Sequence, residues 1–582
     1  MMFSKKIGGI VILLCLVLAM SACNLTSSEK PSAPLTPATP TPKNIAITEA
    51  VPTSTDDAVF SPEHRIGVRV VDGVGEFYNR DTGEKFIPRG NNYVRLDPQK
   101  RDNGDMQTYH SVFDPGLYDR PEITAAFQEM HDLGYNTVRV FISQNTVGTS
   151  GDGLNEETMN NIVDFLALAK EYDLYVIFTQ DWLPGGKYGR MLNEDCCDTY
   201  NMMNANFLPP AGLRANIAYF QDFVQYLIDH EAALDMVFSY QLRNELFFDM
   251  DFPPLSMTSG LATALDGKTY DMANMEDKKR MVDNNMVLWM DEVRAAILEI
   301  DPTALVSVGF FWPQEPNPAR VGDERYINTA PAIWDSELDF IDLHPYPAAE
   351  LSFEQYVENF GINGMQEKPI LMGEFGANTQ SVPSVSNAAS ILMDWQIKSC
   401  EYGFDGWLLW TWDIYENNDF YSAKSGEGQI GEVLAPINRP DACQSGQFDF
   451  LENNVALNKS VTVSRALSDE PPANAVDGSG AQWGSGALPT QWIQIDLGQL
   501  YTVKLIRLQV GQYPDGETTH DVYVGSSPDS LMLVHTFDGK TIDNQRLEFQ
   551  PDTPLTDVRY VRITTTKSPS WVSWKEIEVI AP

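Results

Sequence analysis

Between residues 62 and 440, eight apolar, β-branched or aromatic runs recur, separated by helical patterns or long loops. That alternation restricts the possible folds more than any other feature of the chain. In order the runs are FIPRGNNYVR, YNTVRVFIS, LYVIFTQDW, MVFSYQLRNE, ALVSVGFFW, FIDLHPY, PILMGEFG and GWLLWTWD. Amphipathic stretches such as EITAAFQEMHDLG, NIVDFLALAKEYD and KKRMVDNNMVLWMDEVRAAILEI lie between them. Strands that are apolar almost throughout are buried on both faces, as in a parallel sheet covered by helices. Eight such units in about 380 residues predict an α/β fold, a (β/α)8 TIM barrel. An open doubly wound sheet is the alternative, disfavoured because no Gly-rich phosphate loop follows the first run.

The polar residues support the barrel. Seven of the eight runs end in a polar, charged or aromatic residue rather than an aliphatic one, and in a barrel those C-terminal ends form the active-site face. The fourth run ends in Asn244-Glu245 and the seventh carries Glu374. A carboxyl pair at the ends of two barrel strands is the minimal machinery for cleaving a glycosidic bond. GVRVVDGVGEFYNRDTGEKF, ahead of the first run, reads as a hairpin flooring the barrel. The segments 183–212 and 246–275 are too long for plain turns and are expected to wall a cleft.

A second unit begins near Asn454. It has no convincing helix, and its short alternating runs (WIQIDLG, VKLIRLQVG, HDVYVGSS, LMLVHTF, QRLEFQP, RYVRITT, KEIEVI) predict an all-β sandwich. The expected organisation is a catalytic barrel over 59–446 and the sandwich over 450–582. The formal net charge of −41 argues against a nucleic-acid partner, which needs a basic surface.

The N-terminus reads as a targeting segment. Lys5 and Lys6 precede the apolar stretch IGGIVILLCLVLAM, and Ser21-Ala22-Cys23 follows. This resembles a bacterial lipobox, with Met20 where Leu is preferred. It implies a signal over 1–23 and a membrane anchor at lipidated Cys23; an ordinary cleaved signal peptide is the alternative. Either way an exported, extracellular or cell-surface protein is expected. Residues 24–58, rich in Pro, Thr and Ser, cannot bury a core and read as an extended tether. Cys196, Cys197, Cys400 and Cys443 remain, and four cysteines allow three pairings. Cys400–Cys443 is the preferred bond, clipping the end of the first domain, and no spacing resembles a zinc site.

Asn-Glu ending the fourth run, Glu in the seventh, His-x-Tyr after the sixth and Trp in the eighth together resemble clan A of the glycoside hydrolases, family 5 (cellulases and β-mannanases) most closely. The resemblance implies a retaining enzyme with Glu245 as general acid/base and Glu374 as nucleophile. It further implies Asn244 on the sugar 2-hydroxyl and Arg139 beside the nucleophile. His344 would orient the acid/base or a hydroxyl, Tyr346 would bond the nucleophile, and Trp410 would lie under the sugar at the cleavage point. Trp407 and Trp412 are more often core or rim. Trp182 is similar to a Trp of β-mannanases, and Asn91, Asn92 and Tyr93 are expected to reach far subsites. Leu246 stands where the family commonly has Pro. Substrate is therefore open, tilted toward β-mannan, with a β-glucanase, an exo-β-glycosidase or an inactive glycan-binding lipoprotein as alternatives.

The second unit resembles discoidin-like (coagulation factor 5/8 type C) domains, as carbohydrate-binding module family 32, through NVALNKSVTVSRA, NAVDGSGAQWGSG, QWIQIDLG and EIEVI. The family implies a structural Ca²⁺ on Asp477 and Glu576, and Tyr513 and Trp571 are candidate ligand aromatics at its tip. No cofactor is expected for catalysis. The expected partner is a polysaccharide or oligosaccharide substrate, and the protein is expected to act as a monomer.

Overall fold

The computed structural model describes residues 63–582 apart from 95, 101–105, 143–145, 148–150, 195–198, 312–324, 348–350, 383, 414–418, 445–452 and 479–480. The signal, the tether and the Cys196-Cys197 pair lie outside the described residues. Among the described residues, no helix is long and apolar enough to cross a membrane.

All eight sequence runs form strands. They are β1 (Arg89–Asn92), β2 (Thr137–Ile142), β3 (Tyr175–Gln180), β4 (Val237–Gln241), β5 (Val306–Ser307 and Gly309–Phe311), β6 (Ile341–His344), β7 (Ile370–Phe375) and β8 (Phe404–Leu409). Every neighbouring pair is parallel. β5 breaks at Val308, so its first half pairs with β4 and its second with β6, which closes the ring. A barrel helix follows each strand: α1 (Arg120–Asp132), α2 (Glu156–Glu171), α3 (Pro210–Asp229), α4 (Met275–Leu298), α5 (Thr329–Asp335), α6 (Phe353–Phe360), α7 (Val385–Cys400) and α8 (Ser425–Leu434), with two shorter helices, Gly186–Leu192 and Asn204–Phe207, ahead of α3. The predicted (β/α)8 barrel is the observed fold.

Local chemistry starts these helices. Asn155 caps α2 by accepting from the Glu157 and Thr158 N–H groups, and Ser352 with Gln355 forms a capping box on α6. The apolar faces of the helices and the strands between them make one continuous core. The predicted hairpin, Ile66–Val71 against Val74–Asn79, closes the N-terminal end of the barrel. Its Phe77 packs 5.2 Å from both Phe238 and Phe340. On the opposite face, the loops after β3 and β4 are laced together. Asn204 donates to the carbonyls of Asp249 and Phe252 and accepts from the Asp249 N–H. Cys400 and Cys443 form the expected disulfide.

The C-terminal unit is a sandwich of two antiparallel sheets, with a core of its own around Trp483, Ile495, Leu508, Val561 and Trp574. In one sheet Ser573–Ala581 lies between Asn453–Asn454 and Leu505–Gly511. In the other, Gln491–Val503 pairs with Leu555–Lys567, which pairs with Gly516–Gly525. The pattern is that of a discoidin-like domain.

Candidate active site

The barrel lumen below the C-terminal face is polar. Strand alternation turns Asn92, Arg139, Thr179, Gln241, Asp342 and Glu374 inward, one from each of six strands, and all six are buried. Arg139 is the hub. Its guanidinium donates to Glu374 Oε1 at 2.7 Å, Asn92 Oδ1 at 2.8 Å, Asn244 Oδ1 at 2.6 Å and Gln241 Oε1 at 3.0 Å. Thr179 donates to the same Gln241 oxygen at 2.5 Å, and the Gln241 amide donates to Asp342. Five fixed N–H groups and no acceptor make arginine the residue that can hold so many oxygens at once.

Glu374 accepts a second hydrogen bond, from the Tyr346 hydroxyl at 2.5 Å. Across the cleft, Glu245 follows β4 and is more open to solvent, and its Oε1 lies 3.2 Å from His344 Nδ1. The same ring nitrogen is 3.6 Å from Glu374 Oε1. One donor atom from each of Glu245, His344 and Glu374 lies within 4.8 Å of the others. Asp342 Oδ1 is 3.8 Å from His344 Nε2, a charge contact too long for a hydrogen bond.

Electrostatics follow from that geometry. Burial opposes a charged His344, but Glu374, Asp342 and Glu245 outweigh it and raise its pKa to about 9, so the ring carries a proton and a positive charge at neutral pH. Burial pushes the Glu374 pKa above the ordinary carboxylate value and Glu245 adds to this, while His344, Arg139 and Tyr346 pull the other way. A metal ion between these carboxylates would face the Arg139 guanidinium, which already holds Glu374, and a protonated imidazole. The cluster fits a cation-braced carboxyl pair better than a metal centre.

The aromatic wall is Trp410, buried beside Phe141 at 6.0 Å, with Tyr346 and Phe420 packed against the same cluster. Trp182, after β3, is 44% exposed and carries the Arg243 guanidinium 4.8 Å over its ring. Trp407 and Trp412 are both core. Trp407 donates to Ser399 of α7, and Trp412 packs on Tyr135. Two expectations for the first strand need correction. Asn92 is enclosed beneath the cleft, where its amide donates to the carbonyls of Gly373 at 2.9 Å and Leu409 at 3.2 Å, so it secures Arg139 and does not reach for a sugar. Tyr93, one residue on, turns outward and packs on Phe127 of α1 and Phe165 of α2.

Four residues of the site were not singled out from the sequence. Thr179, Gln241 and Asp342 are polar at inward positions of otherwise apolar runs, and that parity is the signal that could have found them. His110, ending the strand Met106–His110, stacks flat on Phe141 at 3.8 Å. Burial lowers its pKa to about 4, against a raising influence of Asp181, so it is neutral. Nothing in the local sequence marks it.

In the sandwich, Glu576 is buried, accepts from the Gly478 N–H at 3.2 Å and leaves its other carboxylate oxygen without a partner among the described residues. Burial holds its pKa well above the ordinary value, and Glu578 and Asp477 add to this. An orphaned buried carboxylate oxygen beside a second acid fits a hard divalent cation. Tyr513 and Trp571 are 90% and 57% exposed, in loops at the same end of the sandwich.

The Cellulase (glycosyl hydrolase family 5) model matches residues 106–416, and the F5/8 type C domain model matches residues 460–577. Among curated proteins nothing matches. Among solved structures, the chain is similar to the exo-beta-1,4-mannosidase Op5Man5 from Opitutaceae bacterium strain TAV5 (18% identity, 65% of this chain and 64% of that one, TM-score 0.43). It is also similar to the beta-mannanase of the blue mussel Mytilus edulis (15% identity, 66% of this chain and 100% of that one, TM-score 0.39). The sandwich is similar to the family 32 CBM from C. perfringens NanJ in complex with galactose (16% identity, 21% of this chain and 93% of that one, TM-score 0.19). The chain belongs to the cellulase family, glycosyl hydrolase family 5, and is a glycoside hydrolase with a C-terminal F5/8 type C domain.

Proposed function

We propose that the protein is a retaining β-glycoside hydrolase that cleaves β-linked polysaccharide, β-mannan first among the candidates, by double displacement. One observation carries the reading: the Glu245 and Glu374 carboxylates approach within 4.8 Å, with His344 beside both. Retaining pairs stand roughly 5–5.5 Å apart, whereas inverting pairs leave roughly 6.5–9.5 Å for a water. Glu374 attacks the anomeric carbon while Glu245 gives its proton to the leaving glycosidic oxygen, and a glycosyl ester forms on Glu374. Glu245 then takes a proton from water, which attacks the same carbon and releases Glu374. The charge on His344 favours an ionised Glu374 beside the acid/base Glu245. Arg139 and Tyr346 orient the nucleophile, Asn244 meets the 2-hydroxyl, and Trp410 lies under the ring. The preference for mannan rests on the placement of Trp182 after β3. These steps need no cofactor.

The sandwich is assigned to glycan binding through Tyr513 and Trp571, which raises the local substrate concentration. Asp477 and Glu576 would hold a structural Ca²⁺ there. Lipidated Cys23 would anchor the enzyme outside the cytoplasm.

The test is a hydrolysis screen against mannan, glucomannan, cellulose, mixed-linkage glucan, xylan and galactan, with Glu374→Ala as control and NMR of the first-formed anomer. Mannan cleavage that is lost in the variant and gives the retained anomer is expected. Cleavage of another β-glycan changes the substrate and keeps the mechanism, and an inverted product would overturn double displacement. Silence from folded protein would favour a glycan-binding role.

A further inference from the structure

The loops that flank Glu374 are tied to the sandwich. After β7 the chain reaches Ser384, whose hydroxyl accepts from the Asn387 N–H to cap α7 and donates to Glu578 Oε1 of the sandwich at 2.7 Å. Both residues are buried, and Arg507 holds the other Glu578 oxygen at 2.7 Å. After β8, the Tyr421 hydroxyl donates to the Val382 carbonyl at 3.0 Å and accepts from Arg546 Nη2 of the sandwich at 3.4 Å. The two loops are also joined to each other. The Thr379 N–H donates to the Asp419 carbonyl at 2.7 Å, the Tyr421 N–H donates to the Ala377 carbonyl at 3.0 Å, and Asn378 bridges Phe420. The Phe420 ring packs 5.4 Å from Tyr346, whose hydroxyl sits on Glu374. A cleft of about 630 Å³, lined by Ser384, Gln429, Arg507 and Arg546, opens beside this seam. Among the described residues the barrel core and the sandwich core are separate clusters, and these polar bonds register one unit on the other.

We infer that the sandwich positions the catalytic groups as well as any glycan it binds. Ser384–Glu578 and Tyr421–Arg546 hold the loops after β7 and β8, and through Phe420 they hold Tyr346 on Glu374. Arg546 and Glu578 act through these loops and are positioning residues. The inference rests on Glu374 as nucleophile. A misplacement of about 1 Å far from the chemistry can cost on the order of a hundredfold in rate.

The test compares the full chain with Ser384→Ala/Arg546→Ala, the conservative pair Ser384→Thr/Arg546→Lys, and Arg559→Ala. Arg559 pairs with Asp496 within the sandwich. The probe is the soluble polysaccharide that the intact enzyme cleaves, and amide hydrogen exchange of Gly376–Val382 and Asp419–Ala423 is followed without substrate. In the double alanine variant kcat should fall about tenfold with KM nearly unchanged, and both loops should exchange faster. Glu374 is faced by His344, Arg139, Glu245 and Tyr346, and loosening the Tyr346 bond should move the acid limb of kcat to higher pH. The conservative pair should recover most of the loss, and Arg559→Ala should change nothing. Unaltered loop exchange, or faster exchange with kcat within twofold and an unmoved acid limb, overturns the inference. So does an equal loss in Arg559→Ala. If hydrolysis persists in Glu374→Gln, the nucleophile assignment falls, while loop exchange still decides whether the sandwich braces these loops.

Discussion

Arg139 and Glu374 meet at 2.7 Å in the barrel lumen, the first fully buried and the second 4% exposed, so each is a counter-charge to the other where solvent screens little. Removing one member of such a pair leaves an uncompensated buried charge, at a cost of about 3–5 kcal/mol. Arg139→Ala should lower the melting temperature and abolish measurable hydrolysis. Arg139→Lys keeps the charge but cannot span Asn92, Gln241, Asn244 and Glu374 together, so it should fold and lose about a hundredfold or more in kcat. Thermal melts read beside kcat check this, and a Lys variant within tenfold of the parent would refute it.

Tyr346→Phe removes the hydroxyl that donates to Glu374 and keeps the ring that packs on Phe420. That bond lowers the Glu374 pKa, so without it the carboxylate protonates at higher pH. The acid limb of kcat/KM should move up and kcat should fall about tenfold or more at neutral pH. A pH–rate series on both proteins decides it.

The pH dependence of stability has a definite sign at His344. Its folded pKa of about 9 exceeds the ordinary value of 6.5, so the fold favours the protonated ring. That contribution is complete below about pH 6.5 and disappears as pH rises through about 9. Denaturation midpoints should fall across this window, and less steeply in His344→Gln.

Gly309 of β5 has no room for a side chain. An added Cβ would lie 1.9 Å from the Asn244 carbonyl oxygen and 3.0 Å from the His344 ring. Gly309→Ala should therefore displace the segment that carries Asn244 and Glu245, with a larger loss in kcat than in stability. Activity normalised to folded protein is the measurement.

If Asp477 and Glu576 hold a cation, a chelator should lower the sandwich melting transition and Ca²⁺ should restore it, because the cation binds only the folded form. Glu576→Gln should abolish the response to added Ca²⁺.

The sequence carried the barrel and the position of both glutamates because the signals are local. An apolar run buried on both faces reads as a strand, and the polar residue ending it falls on the face where barrels place their chemistry. The inward or outward sense of a side chain was less legible. Asn92 and Tyr93 are adjacent, yet one faces Arg139 and the other faces α1 and α2, since strand parity is fixed only when β1 registers against its neighbours. Thr179, Gln241 and Asp342 are not legible as site residues in the sequence, because what makes them functional is a partner tens to hundreds of residues away.

By itself, then, the sequence determined the succession of strands and helices, the two candidate carboxylates, the family and the second β-rich unit, all properties of short stretches read in order. Tertiary structure alone decided the separation of Glu245 and Glu374, the charge on His344 and the bonds from Ser384 and Tyr421 to the sandwich. These depend on ring closure and burial, and no short stretch of sequence contains the through-space distances that set them.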